Sequence, residues 1–180
     1  YRSEFSGTSA SAPTVSGVVA LMLQKNPNLT WRDVRLVLAQ SARKNDPTEA
    51  GWVSTPGLKD YHPKYGFGAV DAAAAATLAQ GWTSVGGSAA LLSCSVTRST
   101  GAAGFPKALP SRSDPNPTRT ITDIADLGGC PITRVEFVEV RFSATHNYSG
   151  DLDVKLTSPG GLVSQLATGR LCDADNDGFA

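Results

Sequence analysis

Apolar positions crowd the start of the chain. Val15, Val18, Val19, Leu21, Met22 and Leu23 fall nearly all round a helix and not along one stripe, the pattern of a helix covered on several sides. Pro13 lacks an N–H, and its ring clashes with the carbonyl four residues back, so it is comfortable only in a first turn. A helix is therefore expected from near Ser9 or Ala10 to about Lys25. Asn26-Pro27-Asn28 ends it, because the residue before a proline avoids the helical region. Thr30-x-x-Asp33 then has the spacing of a capping box, with Asp in place of the usual Glu or Gln. A second helix follows from Trp31 to about Ala42, with Val34, Val37 and Leu38 on one face. Arg32 reads as a solvated charge and Asp33 as the cap.

Periodicity then lapses. Asp46-Pro47, Gly51-Trp52 and Thr55-Pro56-Gly57 carry turn chemistry, so residues 45–64 are expected as loop, with His62 a structural member of it. A third helix spans Ala72–Gln80, capped by Asp71 and stopped by Gly81. Its run of five alanines can lie close on a neighbour. Residues 83–118 turn rich in Ser, Thr, Gly and Pro and read as linker plus the first irregular strands of another domain. From Thr118 the pattern has period two. Thr120–Ile124 opens it; Val138, Val140, Phe142 and Ala144 alternate, as do Leu152, Val154 and Leu156. Ser158-Pro159-Gly160-Gly161 is a turn, and Leu162–Leu166 returns. No long helix interrupts these strands, which predicts an antiparallel β-sandwich or jelly roll.

Composition is 41% hydrophobic and 18% charged, ordinary for a globular protein. Sixteen basic and sixteen acidic residues cancel without a basic cluster, which argues against nucleic acid or an anionic membrane as partner. No apolar run approaches the ~20 residues that span a bilayer. The first residue is Tyr1, and the chain reads as an internal piece of a longer protein.

The chemistry concentrates in Gly7-Thr8-Ser9. Gly7 lets the backbone turn sharply, and Ser9 then stands where a helix begins. There the unpaired amides and the positive dipole end favour a developing negative charge, as an alcohol attacking a carbonyl requires. A plain helix cap is the competing reading for an isolated serine.

The surrounding residues narrow the choice. Gly-Thr-Ser-Ala-x-Ala-Pro followed by Val-x-Gly-Val-Val-Ala-Leu resembles the nucleophile motif and central helix of the subtilisin-like serine proteases. Asn26-Pro27-Asn28-Leu29-Thr30-Trp31-Arg32-Asp33-Val34 resembles the kexin and proprotein convertase branch, and Tyr65-Gly66-Phe67-Gly68-Ala69-Val70-Asp71-Ala72 resembles the closing segment of the same catalytic domain. His146 to Gly161 resembles the P domain (homo B) that follows it. The resemblance implies an α/β subtilisin-like fragment, mostly helical in this closing part, over residues 1–84. It implies an all-β sandwich or jelly-roll P domain over residues 85–180, truncated at its C-terminus.

On that resemblance Ser9 is the catalytic nucleophile of a serine endopeptidase, with Gly7, Thr8 and Ser9 forming the nucleophile loop and part of the oxyanion hole. The triad His and Asp are expected before Tyr1, so this stretch alone is expected to be inactive without the upstream part of its own catalytic domain. Substrates would be proteins or peptides, cleaved after basic residues, in a secreted, periplasmic or extracellular setting. Glu4 reads as a loop charge or a contact for a basic substrate. A non-catalytic β-sandwich binding or stabilising module, in a pseudo-protease, is the alternative. In a secreted protein three cysteines leave an odd one. Cys94–Cys130 is the preferred pairing, with Cys172 joining a partner beyond residue 180; three independent thiols is the equal alternative. Asp173, Asp175 and Asp177, followed by Gly178, match the start of an EF-hand-like calcium loop. A solvated acidic turn is the competing reading.

Overall fold

Three helices form where the periodicity places them, and the first begins one residue early. A computed structural model describes residues 5–54, 59–99, 107, 109, 120–146, 150 and 152–169. Contacts divide the chain into two units, Tyr1–Leu91 and Leu92–Ala180.

In the first unit α1 spans Thr8–Lys25, α2 Trp31–Ser41 and α3 Ala72–Gln80. The core joins Val18 and Met22 of α1, Val37 of α2 and Ala75 and Ala79 of α3, with Leu29 from the connection between α1 and α2. The two fully buried residues of α3 are both alanine, with Leu78 packed at the edge of the core. The small alanine side chains let the α3 backbone approach its neighbours closely, so one short helix packs on both others. Asn26, the C-cap of α1, adds a polar tie through its side-chain amide to the Ala79 carbonyl at 3.0 Å.

The turn into α2 is held by the expected capping box, and by more than that. Asp33 is fully buried. Its carboxylate accepts from the Thr30 N–H at 2.7 Å, the Trp82 Nε1–H at 2.9 Å, the Ser84 hydroxyl at 2.7 Å and the Val85 N–H at 2.8 Å. The single Thr30 hydroxyl proton is shared between Asp33 Oδ2 at 2.8 Å and the Gly86 carbonyl at 3.0 Å. Burial raises the pKa of this carboxyl, and the donors from Ser84, Thr30, Val85 and Trp82 together outweigh it, holding Asp33 well below the usual carboxylate range. Arg32 departs from the sequence expectation. It is 7% exposed, not solvated, and its Nη1 reaches the carbonyls of Val85, Gly86 and Gly87 at 2.9, 3.2 and 3.2 Å.

Between α2 and α3 the chain makes a long excursion that leaves and returns through one paired position. Arg43 and Ala69 exchange both backbone hydrogen bonds at 2.8 Å. Gly68 lies at the closing edge, with φ at +116°, a conformation that side chains resist.

The second unit holds one ladder among the described residues. Strand β1, Val154–Thr157, pairs antiparallel with β2, Val163–Ala167, in the register Thr157 to Val163 and Leu156 to Ser164, with a bulge after Val154. Ser158 and Gly161 close the turn, the Gly161 N–H donating to the Ser158 carbonyl at 2.9 Å. The strands expected over Thr120–Ile124 and 135–144 make no ladder among the described residues. Val135, Phe137, Val138, Val140 and Phe142 are between 44% and 67% exposed. Alternation marks a face that fits a sheet; it does not supply the neighbour whose N–H and C=O groups complete one. The jelly roll therefore goes beyond what these residues form. Of the two cysteine readings, the Cys94–Cys130 bond is the one made, with Cα atoms 6.0 Å apart. Cys172 lies outside the described residues.

Two measurements follow from this packing. At Gly68 an added Cβ would stand 2.3 Å from the Arg43 carbonyl oxygen. Gly68→Ala is therefore expected to lower the unfolding free energy by at least about 2 kcal/mol. Gly81→Ala, with nothing within 4 Å, is expected to change it by less than about 0.5 kcal/mol. Urea titration of both variants checks the difference. Asp33 makes the acid limb of stability predictable. Its pKa is lowered on folding, so its contribution is complete above the unfolded-state value near ~3.9 and drains away as pH falls below it. Asp33→Asn is expected to cost about 2 kcal/mol or more at pH 7 and to flatten the stability profile between about pH 5 and pH 2. An unchanged acid limb in the variant would refute the assignment.

Candidate active site

Gly7 sets the geometry at the start of α1. It is the N-cap residue, at φ 78° and ψ −168°, a backbone state that a Cβ would strain. From there its carbonyl points forward into the helix. It accepts the amides of Ala10 at 3.0 Å and Ser11 at 3.2 Å, and the Ser11 hydroxyl at 3.3 Å. Among the described residues no side chain caps the helix, so the amides of the first turn not used this way are open to an acceptor from outside that set. The macrodipole adds its positive end at the same place.

Ser9 is the second residue of this helix and is exposed. Among the described residues nothing bonds its hydroxyl. Pro13 is the sixth helical residue, later than its chemistry prefers. The donor it lacks is the one that would reach the Ser9 carbonyl four residues back. The hydroxyl group, its own amide and an uncapped helix end thus meet at one exposed point. That arrangement can hold an oxyanion formed on a carbonyl attacked by Ser9. Glu4 lies outside the described residues.

His62 belongs to the same unit and is committed elsewhere. It is 2% exposed. The Lys64 N–H donates to its Nδ1 at 3.0 Å, so the ring proton sits on Nε2, which donates to the Ala50 carbonyl at 3.0 Å. The ring lies against Tyr65, with centroids 4.7 Å apart, and against Trp52 at 5.1 Å. A histidine with both nitrogens engaged by backbone and its ring stacked on Tyr65 holds a loop together; it has no lone pair to offer a nucleophile.

Around it Glu49 accepts from Lys64 and from the Tyr65 hydroxyl. These two bonds, that from Lys64 first, hold the Glu49 carboxyl below its usual range. The same carboxylate raises the Lys64 ammonium and the Tyr65 phenol above theirs. Asp71 is likewise occupied, accepting the Ala74 amide at 2.9 Å as the cap of α3. Sequence reasoning missed Arg32 and Ser84 as partners of the α2 turn. The only signal for Ser84 was its place two residues after Trp82, which carries no information until α2 and α3 are packed.

In the second unit an open depression of about 280 Å³ lies beside the disulfide, lined by Cys94, Val96, Asp126, Leu127 and Pro131. Among the described residues no group of three or more His, Cys, Asp or Glu side chains is placed to hold a metal ion. Asp173, Asp175 and Asp177 lie outside those residues. No described helix is long and apolar enough to cross a membrane.

Comparison with known proteins covers both units. Residues 1–70 match the Subtilase family, and residues 135–180 match the proprotein convertase P-domain. The PC3-like endoprotease variant B of Hydra vulgaris is 34% identical over 176 residues, which are 98% of this chain and 24% of that protein. Human proprotein convertase subtilisin/kexin type 6 is 37% identical over 174 residues, 96% of this chain and 17% of that protein. Human furin is 36% identical over 174 residues, 96% of this chain and 20% of that protein. The chain thus spans about a quarter or less of the length of these curated relatives.

Proposed function

Because this chain belongs to the subtilisin-like proteases of the kexin and proprotein convertase branch, we propose that it carries the nucleophile of a serine endopeptidase, Ser9. The observation that supports this reading is the exposed Ser9 hydroxyl at the uncapped start of α1, behind Gly7 at φ 78°, inside the stretch that matches the subtilases.

The reaction is acyl transfer. A histidine takes the Ser9 proton as Ser9 Oγ bonds to the scissile carbonyl carbon, and an aspartate orients that histidine. The carbonyl oxygen becomes an oxyanion, which the Ser9 amide and the dipole of α1 stabilise together with a donor from elsewhere in the domain. Collapse breaks the C–N bond, the histidine gives its proton to the leaving amine, and water then releases the acyl group from Ser9. His62 is not that histidine. The base and its aspartate are supplied by chain preceding Tyr1, so the 180-residue stretch is inert by itself.

In this reading residues 1–84 close the catalytic domain and residues 85–180 belong to a β-sandwich P domain that stabilises it. Substrates are proteins or peptides cut after basic residues, met in a secreted or extracellular setting. Calcium is bound in the parent protein, with Asp173, Asp175 and Asp177 as candidate ligands within this chain.

A fluorophosphonate probe tests the assignment on the whole protein with any inhibitory pro-segment removed. Labelling is expected at Ser9 and abolished by Ser9→Ala. It is expected to weaken in a calcium chelator, and to persist per folded molecule in His62→Gln. The 180-residue stretch alone is expected to label at least about 10⁴-fold more slowly. A folded, calcium-replete protein that does not label would point instead to a pseudo-protease whose P domain works as a binding or stabilising module.

A further inference from the structure

The stretch that follows α3 has the composition of a linker, Trp82-Thr83-Ser84-Val85-Gly86-Gly87-Ser88, yet it is bonded to the first turn of α2 along its length. Its donors and acceptors are sorted by charge. The Trp82 Nε1–H, the Ser84 hydroxyl and the Val85 N–H point to the Asp33 carboxylate at 2.9, 2.7 and 2.8 Å. The carbonyls of Val85, Gly86 and Gly87 point to the Arg32 guanidinium at 2.9 to 3.2 Å. Trp31 Nε1 donates to the Ser88 hydroxyl at 3.0 Å. Asp33 is wholly buried and Arg32 is 7% exposed. Charges withdrawn from water need partners of the right polarity, and here the segment supplies them to both.

Two neighbouring charges of opposite sign therefore read the polarity of the backbone passing over them. A slip of one residue would take the Val85 N–H from the anion and shift carbonyls away from the cation. Gly86 makes the necessary bend: its φ is +83°, and a Cβ there would meet the Ala90 Cβ at 2.8 Å. We propose that Arg32 and Asp33 form a two-charge clamp that locks residues 82–88 in one register, so that the chain leaves the helical unit from a fixed point on α2 and not through a loose linker. Trp82 packs against the core at the same point, so the clamp also keeps the seam between α2 and α3 covered.

Hydrogen exchange read by mass spectrometry on the whole protein tests this at pH 7. In the unaltered protein the Val85 and Gly86 amides, bonded to Asp33 and Ser84, are expected to exchange at least about 10-fold more slowly than an unstructured chain. Arg32→Met and Asp33→Asn are each expected to speed exchange across residues 84–88 by about 10-fold or more, while amides in the middle of α1 stay strongly protected relative to an unstructured chain. Ser84→Ala removes one donor to Asp33 and the acceptor of the Gly86 amide, and no charge, so the Val85 amide is the one that reports on the clamp. This variant is expected to give a smaller acceleration in the same peptide, and it decides the matter if either charge variant fails to fold. Free exchange of the segment in the unaltered protein, or protection that Ser84→Ala leaves intact, would overturn the clamp.

Discussion

Burial alone would drive the Asp33 carboxyl toward its neutral form, and the donors converging on it from the α2 cap and the segment after α3 keep it an anion. That balance ties together parts of the chain about fifty residues apart. Thr30 begins α2, Trp82 follows the end of α3, and one carboxylate satisfies groups from both. A helix of nine residues built almost wholly of alanine and other small side chains gains little from burial by itself. Asp71 caps its start locally, and its position is held by the polar ties near its finish, Asn26 to the Ala79 carbonyl and Trp82 to Asp33.

The exposed end of α1 lies at the other extreme of this economy. Asp33 has every oxygen lone pair spoken for, whereas Ser9 has a hydroxyl with no described partner and an amide in an uncapped turn. Saturation builds a scaffold; an unfilled hydrogen-bonding capacity builds a place for chemistry. Gly7 separates the two regimes. Its carbonyl is consumed by the helix while its backbone bend leaves the following residues facing outward.

What could be read from the sequence follows how local each determinant is. Thr30 with Asp33, Asp71 with Ala74 and the stop at Asn26-Pro27 act within four residues, and each element appeared within a residue or two of its expected bounds. The turn at Ser158–Gly161 and the strands beside it were legible for the same reason. Arg32 was misread because its partners are carbonyls more than fifty residues away, and charge at a helix start is ordinarily solvated. The alternation over 138–144 was real, but a ladder is a property of two segments, and alternation describes one. For the candidate site, the sequence placed Ser9 at a helix start. The sixth-position Pro13 and the free first-turn amides emerged only once the helix bounds were known.

The Arg43–Ala69 pair has an implication for how such a chain diversifies. Between them the backbone departs and comes home through a single bridge, and the interior of the excursion is filled by its own Trp52, His62 and Tyr65. Doubling the length of a loop closed in this way adds only about 0.6 kcal/mol of closure entropy. The excursion is in that sense a cassette: a lineage can lengthen it, trim it or rewrite its outer surface while α2 and α3 stay as they are.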